Sequence, residues 1–296
     1  MKNNKRKKIL VIGGTGFIGY HLLKKTKKLG WKSFSLSRNN PKKSRRLRNV
    51  KYLKADLKSF KKVSLVCSDN YDFVVNLSNS LDNFSMYQLK KLISFFLKMN
   101  INKFIQIGSS AEYGNLKNKF LNENLTCKPI SKYGKNKLKL TKNLILNFKS
   151  QNFPVIVLRF FQVYGPKDNK DKIVPFVLNN CLKNRKFNLT EGFQTRDFCY
   201  VDDVINLLIK LLNSKNTKVK GNIFNIAYGK SISIRNLVQK IQKYCKGGNP
   251  KFGAKKLKKD EIIFSKSSIQ KIKKIVRWQP KISLDRGIKK LIQHEK

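Results

Sequence analysis

The chain has 296 residues, 40% of them hydrophobic, which is enough for one large domain or two smaller ones that share a cleft and rules out a disordered tail. Its 66 Lys and Arg stand against 16 Asp and Glu, a formal charge of +50. The five cysteines (67, 127, 181, 199, 245) are odd in number, widely spaced and free of Cys-x-x-Cys, and there are two histidines, so the composition points away from a disulfide framework, a zinc site or a His-based triad.

No apolar run approaches the roughly 20 residues of a membrane span. Met1 to Lys8 is basic, but the apolar Ile9–Ile12 that follows is cut short by glycines, too short for a signal-peptide core. A cytoplasmic protein with no membrane span is expected. The charge raises a nucleic-acid partner. The lysines are spread along the chain as doublets, as in Lys24-Lys25, Lys61-Lys62 and Lys255-Lys256, which favours a solvated basic surface. Abundant Lys, Asn, Ile and Phe match an adenine- and thymine-rich coding sequence; that bias leaves the scarcity of acids unexplained.

Lys8–Ile12 reads as a strand, Gly13-Gly14-Thr15-Gly16-Phe17-Ile18-Gly19 as a glycine turn, and Tyr20 to Leu29 as an amphipathic helix. The turn fits Gly-x-Gly-x-x-Gly through Gly14, Gly16 and Gly19, and Gly-x-x-Gly-x-x-Gly through Gly13, Gly16 and Gly19. Such glycines let backbone approach a pyrophosphate at a helix N-terminus, where free N–H groups and the dipole favour an anion. Trp31 to Ser37 is the second strand. It ends in Ser37-Arg38, followed by Lys42, Lys43, Arg45 and Arg46, with no acid for a ribose 2′-hydroxyl, so NADP is favoured and NAD stays possible.

Val50 to Leu53 leads to Asp56-Leu57, where the acid can accept from an adenine amino group. Tyr71 to Leu77, with Phe73-Val74-Val75, is a buried parallel strand ending in Leu77-Ser78. Met86 to Leu97 has helical periodicity, and Lys103 to Ile107 is a strand ending in Gly108-Ser109-Ser110-Ala111-Glu112-Tyr113-Gly114. This alternation predicts an α/β fold, a Rossmann-type doubly wound parallel sheet with a smaller α/β substrate domain, and puts Ser109 at a carboxyl strand end, where ligands bind. Tyr133 and Lys137, four residues apart on a predicted helix, share one face. A neighbouring cation favours the phenolate, which makes the pair a candidate proton shuttle.

With these motifs in this order, the chain resembles the extended short-chain dehydrogenase/reductases that act on nucleotide-sugars, from Lys8 to about Ile292. Leu158-Arg159-Phe160-Phe161-Gln162-Val163-Tyr164-Gly165-Pro166, Arg196-Asp197-Phe198-Cys199-Tyr200-Val201-Asp202-Asp203 and Trp278-Gln279-Pro280 add to the likeness. The resemblance implies catalysis by Ser109, Tyr133 and Lys137. Tyr133 exchanges a proton with the sugar, Lys137 holds the nicotinamide ribose and lowers the tyrosine pKa, and Ser109 hydrogen-bonds the reacting oxygen. It implies cofactor contacts at Gly13, Gly16, Phe17, Ile18, Gly19, Arg38, Asp56, Leu57, Leu77, Ser78, Tyr133, Lys137 and Phe160. For a nucleotide-diphosphate sugar it implies Ser109, Ser110, Gln162, Lys172, Ile173 and Arg196. Gln162 stands where the family usually has Asn, and Arg196 would pair with the diphosphate.

The expected domains are 1–165 for the dinucleotide, with returning elements near 196–228, and 166–296 for the sugar nucleotide. Val155–Leu158, Phe187–Leu189 and Asn222–Ala227 are predicted strands; Val204–Leu212, Ser231–Ile241 and Ser265–Arg277 are predicted helices; lysine-rich 251–259 is a solvated loop. A homodimer through the helices near 86–98 and 133–148 follows from the resemblance alone. A 4,6-dehydratase of the family carries an acid pair just after the serine; here those positions hold Ser110 and Ala111, and Glu112 comes one residue later. The expected reaction is NADPH-dependent reduction of an NDP-4-keto-6-deoxyhexose for surface polysaccharide or lipopolysaccharide, as in relatives of the CDP-abequose type. The alternatives are an NAD-dependent 4-epimerase and a non-catalytic RNA- or protein-binding relative, which would have no need of Ser109, Tyr133 and Lys137 together.

Overall fold

A computed structural model describes residues 6–116 and 120–295; residues 1–5 of the basic start lie outside it. In chain order the strands are β1 (Lys8–Ile12), β2 (Lys32–Ser37), β3 (Val50–Lys54), β4 (Phe73–Asn76), β5 (Lys103–Ser109), β6 (Phe120–Leu121), β7 (Val155–Phe160), β8 (Gln162–Tyr164), β9 (Lys186–Asn188), β10 (Thr195–Tyr200), β11 (Asn222–Ile226), β12 (Ser231–Ser233), β13 (Asn249–Lys251) and β14 (Lys266–Ser267). The helices are α1 (Phe17–Lys28), α2 (Phe60–Val66), α3 (Met86–Lys98), α4 (Lys132–Gln151), α5 (Ile173–Leu182), α6 (Val201–Asn213), α7 (Ile234–Cys245), α8 (Gln270–Val276) and α9 (Leu284–Glu295).

Packing divides the chain into two compact units. Met1–Gly108, Asn136–Leu158 and Ile205–Phe224 form the first; Ser109–Lys135, Arg159–Val204 and Asn225–Lys296 form the second. The chain thus passes between the units at several points, and the return of Ile205–Phe224 to the first unit falls within the returning elements expected near 196–228.

The first unit is organised by a seven-stranded sheet of order β11-β7-β5-β4-β1-β2-β3. The pairs β1–β2, β1–β4, β2–β3 and β4–β5 run parallel. Successive strands step one way from β1 to β3 and the other way from β4, so the order reverses between β1 and β4. This is the doubly wound α/β arrangement expected, and the crevice at such a reversal is where these sheets take ligands. The central strands are near-continuous apolar runs because both faces are covered: Ile9, Leu10, Val11 and Ile12 are buried, as are Phe73, Val74 and Val75. Helix α1 lays Tyr20, Leu22 and Leu23 inward and keeps Lys24, Lys27 and Lys28 in water. Helix α3 begins in a capping box, with Ser85 Oγ accepting from the Gln88 N–H and the Gln88 side chain accepting from the Ser85 N–H. A chain of rings, Phe60, Phe95, Phe96, Phe104 and Phe153, with centroids 5.1–5.6 Å apart, runs through the core.

The second unit carries a three-stranded sheet of order β12-β10-β8 and two short parallel pairs, β13–β9 and β14–β6. Tyr164 packs edge-on against Phe198 and Tyr200, and Gly287 of α9 sits against the Tyr164 hydroxyl, where a Cβ would come within 2.0 Å of it.

Two predicted helices start later than their sequence suggested. Ser231–Ser233 is a strand paired with β10, and α7 begins only at Ile234 because the Ser233 side chain caps it by accepting from the Asn236 N–H. Ser265–Arg277 is helical only over Gln270–Val276, since Lys266 and Ser267 pair with β6. Helix α9 went unpredicted, although Ile288, Leu291 and Ile292 are buried on one face. All five cysteines are free, no group of three or more His, Cys, Asp or Glu among the described residues could hold a metal, and no described helix is long and apolar enough to cross a membrane.

Candidate active site

In the first unit the carboxyl ends of β1, β2 and β4 open on a cleft of about 500 Å³. Gly13, Thr15 and Gly16 line it, with Ser37, Arg38 and Asn39 beyond β2, Asp56, Leu57 and Lys58 beyond β3, and Leu77, Ser78, Asn79, Ser80 and Asn83 beyond β4. The glycines divide the work. Gly13 has φ of 79°, in the left-handed region, and faces the backbone of Leu77 and Ser78. Gly14 packs inward, since a Cβ there would come within 2.5 Å of Ser35 Oγ. Gly19 seats α1 on the turn, where a Cβ would meet Gly13 O at 2.5 Å and Gly14 Cα at 2.6 Å. At Gly16 a Cβ would meet only Gly13 O, at 3.2 Å, so this position leaves its other side open to the cleft.

Gly16 is also the N-cap of α1, with no side-chain cap and no acid in the first turn. A helix N-terminus beside a glycine turn is the kind of place that suits an anion. Ser37 Oγ is 3.2 Å from Thr15 Oγ1, and Arg45 Nη1 donates to Thr15 O at 3.2 Å, tying the basic segment after β2 to the glycine turn. Arg46 instead lies over the Tyr52 ring. Asp56 Oδ1 accepts from the Lys58 N–H. Ser78 is fixed by donating its hydroxyl to Asn76 Oδ1 at 2.8 Å, and Asn76 Nδ2 donates to Gln106 Oε1. Asn79, Ser80 and Asn83 also line the cleft, though the sequence assigns them no ligand contact.

Lys137 also belongs to the first unit. Its side chain is 1% exposed, its ammonium lies 3.0 Å from Asp82 Oδ1 and donates to Ile107 O at 3.2 Å. Asp82 is a counter-charge that no sequence spacing announced. Tyr133, one helical turn earlier on α4, is 44% exposed.

In the second unit Ser109 ends β5 and opens a single 3-10 turn, Ser110–Glu112. Ser109 Oγ accepts from the Ala111 N–H at 3.2 Å, and the Ser109 N–H donates to Glu112 Oε1 at 2.9 Å. Gly134 brings the first turn of α4 onto this loop: a Cβ there would lie 2.4 Å from Ala111 O. Tyr133 and Ser109 are thus carried on backbone segments in direct contact. Glu112 points away from solvent and is 0% exposed; its Oε2 accepts from Arg159 Nε at 2.9 Å. The guanidinium of Arg159 lies over the Tyr113 ring, 4.6 Å from its centroid, and Tyr113 donates to Asn225 Oδ1. Burial pushes the Tyr113 phenol well above its ordinary value.

The predicted sugar-nucleotide contacts scatter through the second unit. Gln162 opens β8 and is half-buried, and Phe160, expected at the cofactor, ends β7 and is buried. Lys172 caps α5 and pairs with Asp168 at 3.1 Å, and Ile173 is the first residue of that helix. Arg196 on β10 is already engaged: it pairs with Glu261 and donates to Ile262 O at 2.6 Å and Thr195 O at 2.8 Å. Burial lowers its pKa while Glu261 raises it. Next to it, burial lifts the Asp197 carboxyl to about 6 despite hydrogen bonds from Ser267, Tyr228 and Gly229.

A glycine turn at the reversal of a doubly wound parallel sheet is the arrangement of a dinucleotide-binding fold. The chain belongs to the NAD dependent epimerase/dehydratase family, whose model matches residues 9–227. It is similar to the CDP-abequose synthase of Salmonella typhimurium, 23% identical over 96% of this chain and 97% of that protein. It is likewise similar to a putative UDP-glucose 4-epimerase of Methanocaldococcus jannaschii, 28% identical over 96% and 97%. Among solved structures, the UDP-glucose 4-epimerase of Thermotoga maritima with UDP-glucose superposes with a TM-score of 0.88, at 23% identity over 97% of this chain and 98% of that one.

Proposed function

We propose that the chain reduces the 4-keto group of a nucleoside-diphosphate 4-keto-6-deoxyhexose with NADPH, as a step in making a surface polysaccharide precursor. The observation that carries this reading is the end of the cofactor cleft. Ser37, Arg38 and Asn39 line it where an NAD site carries an acid, and Asp56 is the only carboxylate among its described lining residues. A 2′-phosphate suits that end, and an NADP enzyme of this kind exchanges its spent cofactor at each turnover. The similarity to CDP-abequose synthase and to UDP-glucose 4-epimerase alike supports a nucleotide-sugar as substrate.

When bound, the cofactor supplies the hydride to the carbonyl carbon. Tyr133 gives the proton to the oxygen that becomes the hydroxyl, and Ser109 donates a hydrogen bond to that oxygen as its negative charge grows. Lys137, held by Asp82 and Ile107 O, is assigned to the nicotinamide ribose. Phe17, Ile18, Leu57, Leu77, Ser78 and Phe160 complete the cofactor contacts, and Ser110, Gln162, Lys172, Ile173 and Arg196 are assigned to the sugar nucleotide. Dehydration is disfavoured by side-chain direction: Ser110 and Ala111 offer no acid, and the carboxylate of Glu112 is turned inward onto the Ser109 N–H and Arg159. A homodimer through α3 and α4 belongs to the same reading, since Met86, Tyr87 and Leu146 on these helices are exposed.

A panel of nucleotide-sugars incubated with NADPH or NADH, read by product mass, tests the proposal. The expected result is a gain of two hydrogens by a 4-keto-6-deoxy sugar with NADPH preferred. Conversion of UDP-glucose to UDP-galactose without added cofactor, with NADPH untouched by every keto sugar, would put a 4-epimerase in its place.

A further inference from the structure

We propose that Glu112, locked by Arg159, is a positioning residue that presents Ser109 as a hydrogen-bond donor to the reacting oxygen. The inference rests on the role assigned to Ser109 above. It starts from an oddity of local structure. Glu112 and Ser109 form a reciprocal capping box, each side chain accepting from the other's end of the turn, yet the element so capped is a single 3-10 turn, Ser110–Glu112. A capping box normally serves a helix of several turns at a solvated end. Here the carboxylate is 0% exposed.

A glutamine at this position would accept from the Ser109 N–H without bringing a charge indoors. The carboxylate instead demands a counter-ion, and Arg159 supplies it from the end of β7 at 2.9 Å with 3% of its side chain exposed. Arg159 is itself imperfectly satisfied, since its Nη1 is buried with no hydrogen-bond partner among the described residues. Two desolvated charges and an orphaned N–H make a poor route to stability, because a buried ion pair gains little over apolar packing. What the pair does supply is rigidity at one place. Beyond Arg159 the cluster continues through Tyr113, stacked under the guanidinium, to Asn225, whose Nδ2 donates to Leu121 O at 2.8 Å and Ser268 O at 3.2 Å and whose N–H donates to Glu123 Oε1 at 2.7 Å. The Ser109 turn is therefore pinned to four separate segments of the second unit, at Arg159, Asn225, Leu121 to Glu123 and Ser268, through polar bonds.

The consequence for Ser109 is directional. Its Oγ accepts from the Ala111 N–H, which assigns a lone pair to the turn and leaves the hydroxyl proton for an outward acceptor. A serine that stabilises a developing oxyanion must donate, and donors that need no reorganisation at the moment of reaction are the effective ones. Glu112 holds the backbone in the one conformation that keeps this polarity, by bonding the N–H of Ser109 while Ser109 bonds the N–H of Ala111.

A double-mutant cycle tests it on the full chain, using the nucleotide-sugar that turns over in the panel above. Glu112→Ala should lower kcat roughly 30-fold with KM and NADPH affinity within about three-fold of the parent, and Ser109→Ala should lower it roughly 100-fold or more. In the Ser109→Ala background Glu112→Ala should cost less than about three-fold, because nothing remains for it to orient. Glu112→Gln keeps an acceptor for the Ser109 N–H but sets an amide NH2 against Arg159 Nε and leaves that guanidinium without a counter-charge, so kcat should recover only part of the Glu112→Ala loss. If Glu112→Ala does not fold, Glu112→Asp, one methylene too short to span both partners, takes its place in the cycle. An equal cost of the Glu112 change with and without Ser109, or a loss that follows only the folded fraction in a melting curve, would overturn the inference. A Ser109→Ala variant with near-parental kcat would instead remove the role of Ser109, and the inference with it.

Discussion

Replacing Asp82 by alanine removes the counter-charge of a lysine that has almost no contact with water. The ammonium of Lys137 lies 3.0 Å from Asp82 Oδ1, and the two side chains are 1% and 6% exposed. At an effective dielectric of about 20, two unit charges at that separation attract by ~5 kcal/mol, most of it offset by the desolvation of both ions. Removing the carboxylate alone keeps the desolvation of the ammonium and forfeits the attraction, which in buried pairs costs about 3–5 kcal/mol. The Ile107 carbonyl at 3.2 Å still receives a Lys137 proton, which places the expected loss near the lower end, about 3 kcal/mol. Urea unfolding at neutral pH should show the midpoint of Asp82→Ala falling by that amount at an unchanged slope. Asp82→Ala combined with Lys137→Met buries no charge and should recover at least about 2 kcal/mol of the loss. A loss under about 1 kcal/mol in the single variant, or a double variant no more stable than it, would refute the reasoning.

Gly19→Ala would drive a Cβ to 2.5 Å from Gly13 O and 2.6 Å from Gly14 Cα, both backbone, so the start of α1 must shift; NADPH affinity measured by fluorescence titration should fall at least tenfold. Arg38→Ala should weaken NADPH roughly 10- to 100-fold in the same titration and leave NADH nearly unchanged, since only the former carries the 2′-phosphate. Lys103 is buried beside Lys220 and Lys7 and its pKa is lowered to about 8, chiefly by burial. Between pH 8 and about 10.5 the unfolded chain keeps this proton while the folded chain has lost it, so stability contributed by Lys103 rises with pH across that window, by about 1–2 kcal/mol after solvent screening. Lys103→Met should flatten that rise in unfolding midpoints measured from pH 8 to 10.

The dinucleotide half was legible because its signals are local. The glycine turn, the apolar runs of β1 and β4 and the seryl end of β5 lie within a few residues of what they position, and Ser37-Arg38 and Leu77-Ser78 do line the cleft. Ser231–Ser233 was misread as helix because three residues carry too little periodicity, and their pairing with Thr195–Asp197 decides the matter from a distance. Helix α9 does carry a local signal, the apolar stripe of Ile288, Leu291 and Ile292 at helical spacing. The partners of the candidate catalytic groups were beyond reach for a physical reason. Asp82 meets Lys137, and Glu112 meets Arg159, only through the sheet, and a charge among 66 basic residues gives no hint of which one it will find. Arg196 was legible as a residue to single out, yet its pairing with Glu261 was not.

The proposed reduction is tested most directly with NADPH deuterated at the transferred position and an NDP-4-keto-6-deoxyhexose, followed by mass spectrometry and NMR of the sugar. The account predicts one deuterium at C4 of the product and one NADPH oxidised for each sugar reduced. A product that is an isomer of the supplied sugar nucleotide, carrying no deuterium while the NADPH stays unoxidised, would contradict it.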